Sequence, residues 1–220
     1  MKLKELGVVV AMTSMAACGG SGTPAVEEVV TFTNLSIADL ADLDVSEVEE
    51  LVEDFEEELE ALDFTDLSEL DASGTLNYSG LAAVSEAETD QFGTISTDID
   101  VEDALAFGEI SLSIALVDDS VTGSISEIRN TDDGDEISGV LDISGELSRD
   151  ADLEEDFGIL GGISGTLTND EDGEFTVDTD LIADLFGSDA EFVAGDGVGV
   201  AQFEDGSVNI VIGFGLEADD

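Results

Sequence analysis

The stretch Ile159-Leu160-Gly161-Gly162-Ile163-Ser164-Gly165-Thr166-Leu167 decides the fold. It runs through Asn169-Asp170-Glu171-Asp172-Gly173 and resumes as Phe175-Thr176-Val177-Asp178-Thr179-Asp180-Leu181. Ile159, Gly161, Ile163, Gly165 and Leu167 share one parity, and so do Phe175, Val177, Thr179 and Leu181. A period of two is the mark of a half-buried strand. Asp172-Gly173 between the two runs offers the positive φ of a tight hairpin. Strands joined by so short a turn lie antiparallel.

The same grammar extends in both directions. Ile137, Gly139, Leu141, Ile143, Gly145 and Leu147 form one face upstream. Ile110, Leu112, Ile114 and Leu116 alternate with small polar residues, as do Ile95, Thr97, Ile99 and Val101. Val208, Ile210, Ile212, Phe214 and Leu216 close the chain. Asp118-Asp119, Asp133-Gly134 and Asp205-Gly206 mark further turns. The runs number eight or nine, near 74–82, 92–101, 107–117, 120–129, 136–148, 158–168, 173–180, 191–202 and 206–216. Their meander order gives no βαβ alternation.

Glycine placement separates a barrel from a sandwich. Gly139, Gly145, Gly161 and Gly165 sit on the apolar, inward parity. Inward glycine lets a strand bend sharply around a small barrel, whereas a sandwich fills that face with bulky residues. The sequence therefore predicts an eight-stranded antiparallel up-and-down β-barrel over residues 72–220, which also removes sheet edges. A membrane-spanning barrel would need aromatic girdles; the chain has no Trp and one Tyr.

Residues 36–71 read differently. Val48, Val52, Phe55, Leu59 and Leu62 form a stripe at helical spacing, opposite a face of glutamates. Ser46-Glu47-Val48-Glu49 reads as a capping box. A one-sided apolar stripe must pack on something, either the following barrel or a partner. So acidic a helix is not a basic membrane-surface helix.

The amino terminus has the parts of a secretory signal. Lys2 and Lys4 precede the apolar run Leu6 to Met15, and Met15-Ala16-Ala17-Cys18 ends it. The run is about half the roughly 20 residues that an intramembrane helix needs. Cys18 is the only cysteine, and Gly19-Gly20-Ser21-Gly22-Thr23-Pro24 follows as a flexible tether. This arrangement resembles a bacterial lipoprotein box. The resemblance implies a signal peptide over 1–17, lipid attachment at Cys18 and a tether over 18–35. Gly19, in place of aspartate, resembles the sorting pattern of outer-membrane lipoproteins.

The formal net charge is −52, from 56 acids against 4 bases, with no histidine. Cleavage after residue 17 would leave Arg129 and Arg149 as the only bases. Such a chain repels nucleic acid and anionic membranes, and repels itself unless salt screens it. A marine or halophilic habitat accounts for that acidity, and so does a surface made to hold cations or a basic partner. Disorder is excluded for most of the length by 42% hydrophobic residues placed in register. About 200 residues can bury one core, and one cysteine supplies no disulfide.

The acidic turns raise a calcium reading, with Asp133, Asp135, Asp170 and Asp172 as weak metal candidates. Ca²⁺ takes six to eight oxygens. Neither turn fits an EF-hand, because Gly134 or Gly173 at loop position six puts Arg129 or Thr168 at position one. Solvated hairpin turns account for the same residues. Catalysis has little to work with, since no histidine or unlipidated cysteine provides a nucleophile–base pair. Carboxylate pairs suited to glycoside hydrolysis arise by chance in so acidic a chain. The chain is expected to be no enzyme and to need no cofactor other than, at most, Ca²⁺.

Leu185-Phe186-Gly187-Ser188-Asp189-Ala190-Glu191-Phe192-Val193-Ala194-Gly195 resembles a phrase in the β-barrel domains of the transferrin-binding protein B family. Gly187, Ala190, Glu191 and Gly195 match its aromatic-Gly-x-x-Ala-Glu motif and the glycine after it. Gly74 to Gly80, Ser120 to Ile125 and Gly165 to Phe175 resemble other strands of the same domain, in the same order. The resemblance spans about residues 73–217 and one barrel. It implies a lipid-anchored cell-surface protein of the outer membrane. Such a protein captures a protein or a small nutrient, in an iron- or haem-related setting, beside a TonB-dependent transporter. The competing expectation is a structural acidic surface lipoprotein with weak Ca²⁺ binding and no specific ligand.

Overall fold

Alternating apolar residues, separated in four of the seven connections by turns of two to five residues, favour pairing of each strand with its neighbour. A computed structural model shows the result, describing residues 31, 33, 35–40, 43, 45–87, 103–131, 134–149, 157–170 and 173–219. Eight strands follow one another: β1 (Thr75–Glu86), β2 (Ala104–Ala115), β3 (Ser120–Asn130), β4 (Ser138–Leu147), β5 (Ile159–Asn169), β6 (Gly173–Phe186), β7 (Phe192–Phe203) and β8 (Gly206–Ala218). Each pairs antiparallel with the next, and β1 pairs with β8 from Tyr78↔Ala218 to Glu86↔Ile210. The sheet is therefore a closed up-and-down barrel, as the inward glycines predicted. The expected run Ile95 to Val101 lies outside the described residues, and eight strands close the barrel without it.

The predicted inward parities hold. Ile114, Ile125, Ile159, Ile163, Ile212 and Leu216 are fully buried inside the barrel. Each such side chain contributes about 1.5–3 kcal/mol on burial. Gly145 and Gly161 face each other across β4 and β5. An added Cβ on Gly161 would stand 2.8 Å from the Gly145 Cα, so the tight bend there requires that neither residue have a side chain. Opposite Gly108, β3 bulges between Ser126 and Arg129, with Glu127 at φ 51°.

One turn differs from expectation. The β7–β8 loop is Glu204-Asp205, because Phe203 pairs with Gly206. Gly206 is the first residue of β8 and does not have positive φ, unlike Gly134 and Gly173. The Gln202 amide supports this loop by donating to the Gly206 carbonyl at 3.0 Å.

Among the described residues, two helices precede the barrel: α1 (Ile37–Leu40) and α2 (Val45–Glu60). Helix α2 begins at Val45, so Ser46 lies inside the first turn rather than at the expected cap. It ends before Leu62, whose N–H bonds the Leu59 carbonyl in a tight last turn, so Leu62 leaves the predicted stripe. The stripe packs on the barrel. Phe55, Val52, Leu51 and Leu59 lie against Leu81, Phe107, Phe192 and Ala194 on the outer wall. Thr33 Oγ1 donates to Glu217 at 2.9 Å, and the Ile37 N–H donates to Glu109 at 3.2 Å. The segment before α1 is thereby tied across β1, from β8 to β2.

Residues 61–71 are not helical and close one end of the barrel. Leu67 is buried in the barrel core. Arg149 holds this segment: its guanidinium donates to the carbonyls of Leu67 and Leu70 while pairing with Asp119 at 2.6 Å.

Candidate binding surface

Where a ligand can sit is set by what fills the barrel. Its lumen carries isoleucine, leucine and valine from every strand, with two buried polar groups that find partners inside the protein. Thr179 Oγ1 faces the Ile163 carbonyl at 3.4 Å, and the Tyr78 hydroxyl donates to the Ala190 carbonyl at 2.8 Å. The lumen is a core, unlike the open cup of a small-molecule carrier.

Open apolar surface lies outside. Past its last pairing with β5, at Ala183, strand β6 continues to Phe186 and exposes an edge. Residues 63–65 cover that edge. The Thr65 N–H bonds the Leu185 carbonyl at 2.9 Å, the Gly187 N–H bonds the Asp63 carbonyl at 3.0 Å, and Phe64 bridges Phe186. The two phenyl rings meet with centroids 5.1 Å apart at 34°. Phe64 remains 45% exposed. Together with Leu59 and Leu62, the rings floor a groove of about 430 Å³, rimmed by Glu56 and Glu60 of α2. The sequence reading missed this groove. Its one trace in the sequence is the apolar pair Leu62 and Phe64, just past the end of α2.

The motif residues build the joint beside the groove. Gly187 has φ +88°, and an added Cβ would collide with the Glu191 carboxylate. Ala190 is fully buried with φ 57°, and its carbonyl receives the Tyr78 hydroxyl. The Glu191 carbonyl accepts from the Ala218 N–H at 2.8 Å. Gly195 lies directly on Ala183 and the Ile182 carbonyl of β6. Thr65 Oγ1 donates to the Gly187 carbonyl at 2.8 Å. The motif thus locks the β6–β7 turn to β1, to the end of β8 and to residues 63–65. Its role in the fold is structural, and it sets the position of Phe186.

Two carboxylates on the outer wall are displaced from their usual behaviour. Burial pushes Asp196 up, and its Oδ2 is buried without a hydrogen-bond partner. Burial also pushes Asp184 up, partly offset by the Gly158 N–H donating to it at 3.0 Å. Neither belongs to a cation site: among the described residues, no three acidic side chains converge on a metal-sized position. Of the calcium candidates, Asp135 and Asp170 are described and exposed, in separate turns, while Asp133 and Asp172 lie outside the described residues. Cys18 also lies outside them. No described helix is long and apolar enough to cross a membrane.

Neither a protein-family model nor a curated protein matches the chain. Among solved structures, it is similar to a tryptophan-to-alanine mutant of the vaccine antigen transferrin binding protein B from Haemophilus parasuis Hp5. That alignment has a TM-score of 0.43 and 18% identity, over 71% of this chain and 28% of the other. A double mutant of the same protein aligns with TM-score 0.39 and 14% identity, over 71% and 28%. Intact Ap-TbpB, with its N and C lobes, gives TM-score 0.36 and 14% identity, over 71% and 29%. The chain spans less than a third of the length of these proteins.

Proposed function

We propose that this chain is a lipid-anchored outer-membrane protein, displayed at the cell surface, that captures a protein ligand without catalysis. The observation that carries this reading is the position of the open apolar surface: the lumen is filled, and the groove lies outside, between α2 and the Phe64–Phe186 pair. The side chains inside the barrel form its buried apolar core, whereas an open surface groove suits a segment of a protein. Cys18 and the glycine-rich tether behind it supply the anchor. The likeness of the Gly187–Gly195 segment to surface-capture barrels adds support from sequence.

The test is retention on the lipid-bearing chain. Outer-membrane extract and spent growth medium are passed over it and washed in high salt, which strips contacts made by charge alone. Retention of one transporter or carrier protein, with saturable binding on re-addition, is expected. An empty eluate, or a wild-type chain that takes up no labelled acyl group at Cys18, would overturn the reading.

The net charge of −52 favours a second reading, a structural acidic coat. That reading requires millimolar Ca²⁺ to raise the melting temperature well beyond NaCl of equal ionic strength. The capture reading expects the two salts to act alike.

A further inference from the structure

We infer that the groove between α2 and the Phe64–Phe186 pair receives a cationic amphipathic segment of another protein. Its apolar side chain lies on the two rings, and its lysine or arginine meets Glu56 and Glu60. This inference rests on the capture reading and names the chemistry of the partner.

Three observations converge on it. The groove floor is apolar and open, with Phe64 45% exposed in a chain where most large apolar side chains are inside. Its rim has one sign: Glu56 and Glu60 stand one helical turn apart, on the same side of α2. They also stand at the wrong end of the helix. The carboxyl end of a helix carries partial negative charge and favours cations. Yet the last turn of α2 has no basic residue, and Glu56, Glu57, Glu58 and Glu60 crowd it. A cation arriving at this end would relieve the repulsion among the glutamates and satisfy the helix end together.

The chain cannot supply that cation itself. It has Lys2, Lys4, Arg129 and Arg149. Arg149 is engaged by Asp119 and by the carbonyls of Leu67, Leu70 and Leu116. Arg129 donates to the Gly134 carbonyl at the far β3–β4 turn. Lys2 and Lys4 belong to the segment read as cleaved. The tether brings Glu27 and Glu28, of the same sign as the rim. A second copy meets the groove with the same acidic surface. Nucleic acid and anionic lipid are repelled outright.

The test uses residues 18–220, the chain left by the expected cleavage, carrying Cys18→Ser so that it takes no lipid. The probe is a fluorescent helix-forming peptide with one face of leucine and the other of lysine; an all-lysine peptide and a leucine–glutamate peptide serve as controls. Fluorescence anisotropy is expected to show saturable binding of the leucine–lysine peptide, with part of it surviving high salt. Phe64→Ser is expected to weaken it at least tenfold. The pair Glu56→Gln and Glu60→Gln, which keeps the side-chain shape and removes the charge, is expected to weaken it several-fold and to flatten its salt dependence. The all-lysine peptide is expected to be released by salt and to ignore Phe64→Ser. Equal binding to wild type and both variants, binding of the glutamate peptide, or no binding at all would overturn the inference. So would a concentration-dependent dimer abolished by Phe64→Ser, which would make a second copy the occupant. A natural protein retained equally by wild type and Phe64→Ser would overturn the groove and leave capture standing. A column that retains nothing would overturn capture itself.

Discussion

Phe55 of α2 lays its ring on the bare α-carbon of Gly215 in β8. An added Cβ at Gly215 would stand 2.8 Å from Phe55 Cζ. The ring also meets Phe192 edge-on, with centroids 6.1 Å apart. The glycine is thus the socket in which the helix docks. Gly215→Val is expected to lift α2 while the barrel stays closed. Hydrogen exchange followed by mass spectrometry would show amides of residues 45–60 exchanging faster, with β3 to β6 unchanged. Phe55→Ala empties the same socket and is expected to cost about 3 kcal/mol of docking. Unchanged protection of α2 in both variants would show that the contact does not hold the helix.

Arg149 gathers four oxygens from two segments, the β2–β3 turn and residues 61–71. Its Nε meets Asp119 at 2.6 Å, Nη1 meets Leu67 and Leu70 at 3.3 and 3.0 Å, and Nη2 meets Leu116 at 3.1 Å. A planar fork can serve several acceptors at once, and a lysine ammonium cannot match that geometry. Arg149→Lys keeps the charge and loses the fork. It is expected to lower the urea unfolding free energy by about 2 kcal/mol, since carbonyls at the barrel end lose charged donors. The loss should persist in high salt, because most of it is hydrogen bonding rather than surface attraction. A loss that vanishes in salt would reduce Arg149 to an ordinary surface ion pair.

The barrel was legible because its residues obey a local rule. Ile110 through Leu116 and Ile137 through Leu147 alternate with small polar neighbours, and alternation maps directly onto the inner and outer faces of a pleated strand. Gly145 and Gly161 disclosed the closure, since side chains there would force two strands apart. The helix's resting place was less legible. Its clue was Leu81-Ala82-Ala83, where alternation lapses because Leu81 and Ala83 are buried on the outer wall. The groove was hidden for a different reason. Phe64 and Phe186 are 122 positions apart, and only the closure of β6 past β5 brings them together. Nothing in the period of either segment announces such an encounter.

Asp196 gives a pH dependence whose sign is fixed by burial. Its carboxyl is pushed above the ordinary 3.8 by desolvation, so the folded state binds its proton more tightly than the unfolded chain does. The charged form therefore costs stability at neutral pH. That cost disappears as pH falls through the raised value toward 3.8. Asp196→Asn is expected to melt higher than wild type at pH 7. The gap should narrow as pH falls through that window and close below it. Paired melting curves at constant ionic strength check this. A gap that is constant with pH would point instead to the amide making a new hydrogen bond.

Tyr78 is the single tyrosine, which makes its ionisation readable without interference. It is 1% exposed, its hydroxyl bonds the Ala190 carbonyl, and burial pushes it well above the ordinary 10.0. The unfolded chain gives up this proton near pH 10, while the folded barrel keeps it. Stability should therefore be whole below pH 10 and fall as pH rises beyond it. Phenolate absorbance is expected to stay flat past pH 10 and then to appear together with loss of the β-sheet circular dichroism. Tyr78→Phe strands the buried Ala190 carbonyl and should cost about 1–2 kcal/mol at pH 7. It should also remove this part of the alkaline decline, because no phenol remains to ionise in the unfolded chain. Phenolate appearing near pH 10 in a chain that is still folded would mean that the hydroxyl reaches water, and that the joint at Ala190 opens without unfolding the barrel.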